Sequence, residues 1–78
     1  MTLVELQQSF PNATKSTWHR HSNGGGWVEN TATVAVTAYV GENAWVYENA
    51  WVFDEARVYG NARVYGEAQV FGLPGRMA

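Results

Sequence analysis

The chain contains no cysteine. That excludes a disulfide framework and any thiolate-ligated zinc or iron–sulfur centre, so a domain this small has to be held by packing, repetition or association. Positive charge is sparse: five Lys and Arg stand against seven Asp and Glu, for a formal net charge of -2. A protein that grips nucleic acid by bulk charge needs the opposite balance, which argues against direct nucleic-acid binding. No apolar run approaches the ~18 residues needed to cross a bilayer, and the opening MTLVELQQSF has neither a basic start nor an apolar stretch of signal-peptide length. A soluble cytoplasmic protein without membrane partners is expected. What the 78 residues do have is aromatic side chains, 14% of the total against 15% charged. So small a core cannot hide every ring, which predicts a surface with adhesive apolar patches.

From Val28 onward the chain repeats every six residues: VENTAT, VAVTAY, VGENAW, VYENAW, VFDEAR, VYGNAR, VYGEAQ and a degraded VFGLPG. Seven of the eight blocks keep Val first and Ala fifth. In each Ala-x-Val run, such as Ala44-Trp45-Val46, strand alternation puts Ala and Val on one face and x on the other. Ala and Val are therefore expected inward, and Trp, Arg, Gln and Tyr outward. Between successive runs lie Gly, Asn, Asp and Glu, which suit a corner with permissive backbone angles. A unit of this kind cannot bury its apolar face alone, so the repeat predicts a solenoid. An antiparallel meander would show longer spacing and Asn-Gly or Asp-Gly turns within the repeats, which are absent.

These blocks resemble the hexapeptide-repeat family, the left-handed parallel β-helices that include acyltransferases and γ-type carbonic anhydrases. The resemblance covers residues 28 to about 75. Within it, the GNARVYG style and the lead-in Asn23-Gly24-Gly25-Gly26-Trp27-Val28 are similar to uncharacterised repeat proteins of bacteria and their phages. The second block position is usually small in the family, whereas here it holds Tyr47, Phe53, Tyr59, Tyr65 and Phe71. The fold expected is thus all-β: a short triangular parallel β-helix of about 2.7 coils. Left-handedness is implied by the resemblance alone, since the general rule for parallel connections favours the right hand. Residues 27–78 form the repeat domain. Residues 1–26 form a cap, with a capping box at Thr2 and Glu5, an apolar stripe of Leu3, Val4 and Leu6, and Pro11-Asn12 ending one short helix laid over the first coil. Gly24-Gly25-Gly26 reads as a flexible joint, because no Lys-Ser/Thr follows to make a phosphate loop. At the far end only residues 73–78 remain as a thin cover, which predicts a homo-oligomer.

Three blocks per coil make residues eighteen apart into neighbours, about 4.8 Å along the axis. The columns are Trp27, Trp45, Arg63; Thr33, Trp51, Gln69; and Tyr39, Arg57. At the second block position Tyr47 falls on Tyr65, Phe53 on Phe71, and Tyr59 on Gly41. Trp, Tyr and Arg are the residues that most often anchor partners, and exposed apolar columns most often serve subunit contacts. Trp45, Trp51, Tyr39, Arg57, Arg63, Tyr47 and Tyr65 are accordingly candidate contact residues. Glu42, Glu48, Asp54 and Glu55 fall at corners and read as solvated charge.

Chemistry is thin by comparison. An acyltransferase, as the resemblance implies it, needs a His general base, and no His follows His21. A γ-type carbonic anhydrase needs three His around zinc, and only His19 and His21 exist. The tract Trp18-His19-Arg20-His21 could bind an anion by stacking plus charge better than it could bind a metal. No cofactor and no metal is expected. The reading that follows is a non-catalytic binding protein, a phage or prophage accessory that docks on a host protein complex, for example to inhibit a defence system. Two alternatives stand beside it: a binder or sponge for a nucleotide or other small anionic ligand at subunit interfaces, and an acyltransferase-like enzyme relying on the His tract.

Overall fold

The computed structural model describes residues 2–72. Strands dominate, with one short helix. Helix α1 (Leu3–Ser9) begins where the sequence says it should: Thr2 accepts from the Glu5 amide at 3.2 Å and the Glu5 carboxylate accepts from the Thr2 amide at 2.8 Å. These bonds satisfy two of the amides a helix start leaves unpaired. The helix ends at Phe10, whose N–H donates to the Leu6 carbonyl, one residue before Pro11.

Nine strands follow: β1 (Trp18–Arg20), β2 (Trp27–Glu29), β3 (Thr33–Val34), β4 (Tyr39–Val40), β5 (Trp45–Val46), β6 (Trp51–Val52), β7 (Arg57–Val58), β8 (Arg63–Val64) and β9 (Gln69–Val70). They form three sheets, ordered β1-β2-β5-β8, β3-β6-β9 and β4-β7. From β2 to β9 the chain visits first, second and third sheet in rotation, and every pairing among these strands is parallel. The register is eighteen residues throughout: Trp27 faces Trp45, Trp45 faces Arg63, Thr33 faces Trp51, Trp51 faces Gln69, and Tyr39 faces Arg57.

The corners repeat as well. The fifth residue of a block donates its N–H to the carbonyl of the second, as in Ala44 to Gly41, Ala62 to Tyr59 and Ala68 to Tyr65. In the later blocks the third residue is left-handed, with φ of 61° at Glu48, 62° at Asp54, 62° at Gly60 and 67° at Gly66. Glycine takes that conformation without steric penalty, which accounts for Gly at two of the four positions. The core is the alternation pattern made real: Val28, Val40, Val46, Val52 and Val58 with Ala32, Ala38, Ala44, Ala50 and Ala56 form one buried cluster. Each fully buried Val is worth about 1.5–3 kcal/mol, and Ala at the paired position leaves room for it.

The N-terminal segment departs from expectation in its placement. The helix does not lie over the end of the first coil. It packs on the outer face of the first sheet, where Leu6, Ala13, Trp18, Trp27 and Trp45 form a second buried cluster with Phe10, Leu3 and Tyr47 against it. The free edge of β2 is instead covered by β1, an antiparallel partner with Trp18 opposite Glu29 and Arg20 opposite Trp27. The boundary drawn between residues 26 and 27 therefore falls inside a hairpin. Nor is the glycine run a flexible joint. Gly26 donates to the Val40 carbonyl at 2.9 Å and Val40 donates to the Asn23 carbonyl at 3.0 Å. A Cβ on Gly26 would collide with the Gly41 carbonyl and the Val40 side chain, and one on Gly24 with the Val40 carbonyl, so these two glycines let the loop lie against β4. The expected C-terminal cover, residues 73–78, lies outside the described residues.

Candidate functional site

Outward residues of the three sheets meet three different fates. On the first sheet the outward column is Trp27, Trp45, Arg63, and the N-terminal segment closes over most of it. Trp45 is only 5% exposed and Trp18 only 3%, which corrects the expectation that Trp45 stands outward as a contact residue. Sequence alternation assigned its direction properly; what it lacked was knowledge that the helix and the 10–18 segment would settle there. Phe10 does the covering, with ring centroids 4.9 Å from Trp18, 5.1 Å from Trp45 and 4.8 Å from Tyr47. Tyr47 is half-buried and stacks on Tyr65 at 5.3 Å with a 12° angle between planes. Loss of solvent pushes the Tyr47 phenol pKa up, and the neighbouring Tyr65 and Glu48 add to the shift while Arg63 opposes it. Arg63 lies 4.3 Å over the Trp45 ring and Arg20 lies 4.5 Å over Trp27, so both guanidiniums roof the buried indoles. Five of the proposed contact residues, Trp18, Trp45, Tyr47, Arg20 and Arg63, thus serve this cap, with Tyr65 at its rim.

The His tract is divided rather than gathered. Asn30 donates its Nδ2 to the Ser16 carbonyl at 2.8 Å, so its Oδ1 is left to accept from the His19 Nδ1–H at 2.6 Å. His21 is buried, and its Nε2–H donates to the Ala38 carbonyl at 2.7 Å, holding the hairpin loop against the chain entering β4. A carbonyl only accepts, so the proton sits on Nε2. The two rings have different partners and different exposure, and His21 is a structural clamp. Among the described residues no group of three or more His, Asp or Glu is placed to hold a metal ion.

Corner carboxylates do more than solvate. The Glu29 carboxylate accepts from the Glu48 amide at 2.8 Å, and the Glu48 carboxylate accepts from the Gly66 amide at 2.9 Å. One strand of acid-to-amide bonds thereby links three successive levels of a corner.

On the second sheet nothing among the described residues covers the outward column. Trp51 is 50% exposed and Phe71 47% exposed. Trp51 meets Phe53 edge-on at 6.3 Å, and Phe53 meets Phe71 edge-on at 4.3 Å. The eighteen-residue sum places Phe53 on Phe71, and the signal that both border the contact face is their position two residues after the outward Trp51 and Gln69. On the third sheet Tyr39 and Arg57 come together as register partners and border an open hollow of about 1070 Å³, with Tyr59 and Glu55 at its margin. The structure thus separates the candidates into a covered face, an exposed aromatic face and a mixed polar–aromatic face. No helix among the described residues is long and apolar enough to cross a membrane. No family model, no curated protein and no solved structure matches the chain.

Proposed function

We propose that the chain is a short triangular parallel β-helix of the hexapeptide-repeat kind, with the three sheets as its walls, and that it works by binding rather than catalysis. The rotation through three sheets at an eighteen-residue register supports the architecture. The observation that carries the binding role is the contrast between two equivalent tryptophans. Trp45 and Trp51 occupy the same position of consecutive blocks, yet Trp45 is 5% exposed beneath a dedicated N-terminal cover whereas Trp51 is 50% exposed beside Phe53 and Phe71. Apolar rings left open in this way anchor protein contacts, and an indole met edge-on by Phe53, itself met edge-on by Phe71, presents a rigid patch at low entropic cost.

The patch is proposed to serve a homo-oligomer and, beyond it, docking on a host protein complex; the phage or prophage setting and the inhibition of a defence system rest on the resemblance. Sedimentation equilibrium tests the first part. The wild type should show a multiple of the 8.7 kDa chain mass, and the double change Trp51→Ser, Phe71→Ser should return it to the single-chain mass with an unchanged circular dichroism spectrum. A wild type at single-chain mass contradicts it. For the second part, capture from the native host, repeated with the purified candidate complex, should require Trp51; equal capture by Trp51→Ala contradicts it.

A further inference from the structure

The third sheet carries an interruption in an otherwise regular aromatic pattern. After β5 and β6 the second block position holds Tyr47 and Phe53, and each is met one level on by a ring, Tyr65 and Phe71 respectively. After β4 that position is Gly41, so Tyr59, one level on, has no ring to meet. Tyr59 is 69% exposed, against 55% for Tyr65 and 47% for Phe71. The Tyr39 ring leans into part of the gap. A Cβ on Gly41 would lie 3.3 Å from one edge of that ring, and a Cβ on Gly24 would lie 2.9 Å from the other. The two glycines therefore hold Tyr39 against bare backbone, fixed in place and 38% exposed.

Beside this gap stands the one arginine of the three described that has no assigned partner. Arg20 lies over Trp27 and donates to the Gly25 carbonyl at 3.2 Å, and Arg63 lies over Trp45. Arg57 is exposed and makes no hydrogen bond, ion pair or ring contact among the described residues. Glu55, two residues earlier and also exposed, borders the same hollow. A planar heteroaromatic ring suits the exposed rings of Tyr39 and Tyr59, an anionic group suits the fork of Arg57, and sugar hydroxyls suit the acceptor carboxylate of Glu55.

We propose that this outer face of the third sheet is a nucleotide site, in which the base stacks on the exposed rings of Tyr39 and Tyr59 and the phosphate pairs with Arg57. The site uses none of the residues of the Trp51 patch and stands independently of the protein-binding reading. The hollow it borders, about 1070 Å³ and open to solvent, is of a size that holds a small ligand such as a mononucleotide.

The test is calorimetric titration of the full chain with AMP and GMP, with adenosine and inorganic phosphate as separate arms. At least one nucleotide should bind, and each of the separate parts should bind at least about tenfold more weakly than the whole. Arg57→Gln should weaken binding by about tenfold or more through loss of the phosphate contact. Tyr59 is 69% exposed, so Tyr59→Ala should fold with unchanged thermal stability while weakening binding by several-fold through loss of the stacking ring. Absence of binding by both nucleotides at millimolar concentration overturns the proposal. So does a nucleotide affinity left unchanged by Arg57→Gln or by Tyr59→Ala.

Discussion

Arg63 sits with its guanidinium carbon 4.3 Å above the ring of Trp45, eighteen residues earlier in the chain and directly opposite it in the neighbouring parallel strand. The pair joins the two halves of the protein's construction. Register puts Arg63 over the indole, and the N-terminal segment buries the indole from the other side. A cation held over a largely desolvated ring is worth roughly 0.5–2 kcal/mol. Arg63→Ala and Trp45→Phe, made singly and together, should show a coupling of about 0.5–1 kcal/mol in urea unfolding. Strict additivity of the two changes would show that the contact contributes nothing.

The left-handed corners supply a second prediction. Asp54 has φ of 62° and its carboxylate has no hydrogen-bond partner among the described residues, so Asp54→Gly relieves the backbone without loss of a contact. A gain of about 0.5 kcal/mol is expected after the larger entropy of glycine in the unfolded chain is subtracted. That corresponds to a rise of roughly 2–4 °C in Tm for a domain this size. Glu48 has nearly the same angle, 61°, but its carboxylate accepts from the Gly66 amide. Glu48→Gly should therefore give no gain or a loss, and a stabilisation equal to that of Asp54→Gly would remove the acid-to-amide link from the account.

Acid should loosen the cap before it unfolds the repeats. Hydrogen bonds from the Thr2 backbone and side chain hold the Glu5 carboxyl below its ordinary pKa. A lowered folded pKa means a contribution to stability that is present above the ordinary carboxylate value and is lost as pH falls through the lowered one. Helix α1 covers Trp18, Trp27 and Trp45, so tryptophan emission should shift to the red across that acidic window as the cover opens. In Glu5→Gln the part of the shift that belongs to this carboxyl should vanish. An acid transition of the same size and position in that variant would contradict the assignment.

Gly25 and Gly26 separate conformational from steric demand. Gly25 has φ of 78° with open space around it, so Gly25→Ala should cost about 1–2 kcal/mol for the left-handed backbone alone. At Gly26 the added methyl would meet the Gly41 carbonyl and Val40 directly, and Gly26→Ala should cost at least about 1 kcal/mol more than Gly25→Ala. Equal costs by urea unfolding would mean that the loop lifts easily from β4.

The repeat was legible because its physics is local. Val first and Ala fifth at a spacing of six declare the inward face, and adding eighteen to Trp27, Thr33 and Tyr39 names their partners in the parallel sheets. The capping box at Thr2 was legible for the same reason. What escaped was the docking of one segment on another. Nothing in the spacing of Leu3, Leu6 and Phe10 says whether the helix covers the end of the stack or the Trp27–Trp45 face, and that choice decides whether Trp45 is a surface residue or a core residue. Strand β1 was missed because WHR is a three-residue strand with no alternation to read. The Asn23-Gly24 pair just after it is a hairpin signal, and it lies outside the repeats, which themselves carry no such pair.

The claim on which both proposed faces depend is the eighteen-residue register. Since the chain has no cysteine, introduced pairs report on it without competition. Tyr39→Cys with Arg57→Cys places two thiols on directly opposed residues of adjacent parallel strands, about 4.8 Å apart at Cα and inside the range a disulfide spans. Thr33→Cys with Gln69→Cys places them two strand spacings apart, roughly 9.6 Å, which a disulfide does not span. Mild oxidation at low protein concentration, read by mass spectrometry of unreduced peptides, should close the first pair within single chains and leave the second open. Closure of the second pair with the first left open would contradict the register and both faces built on it.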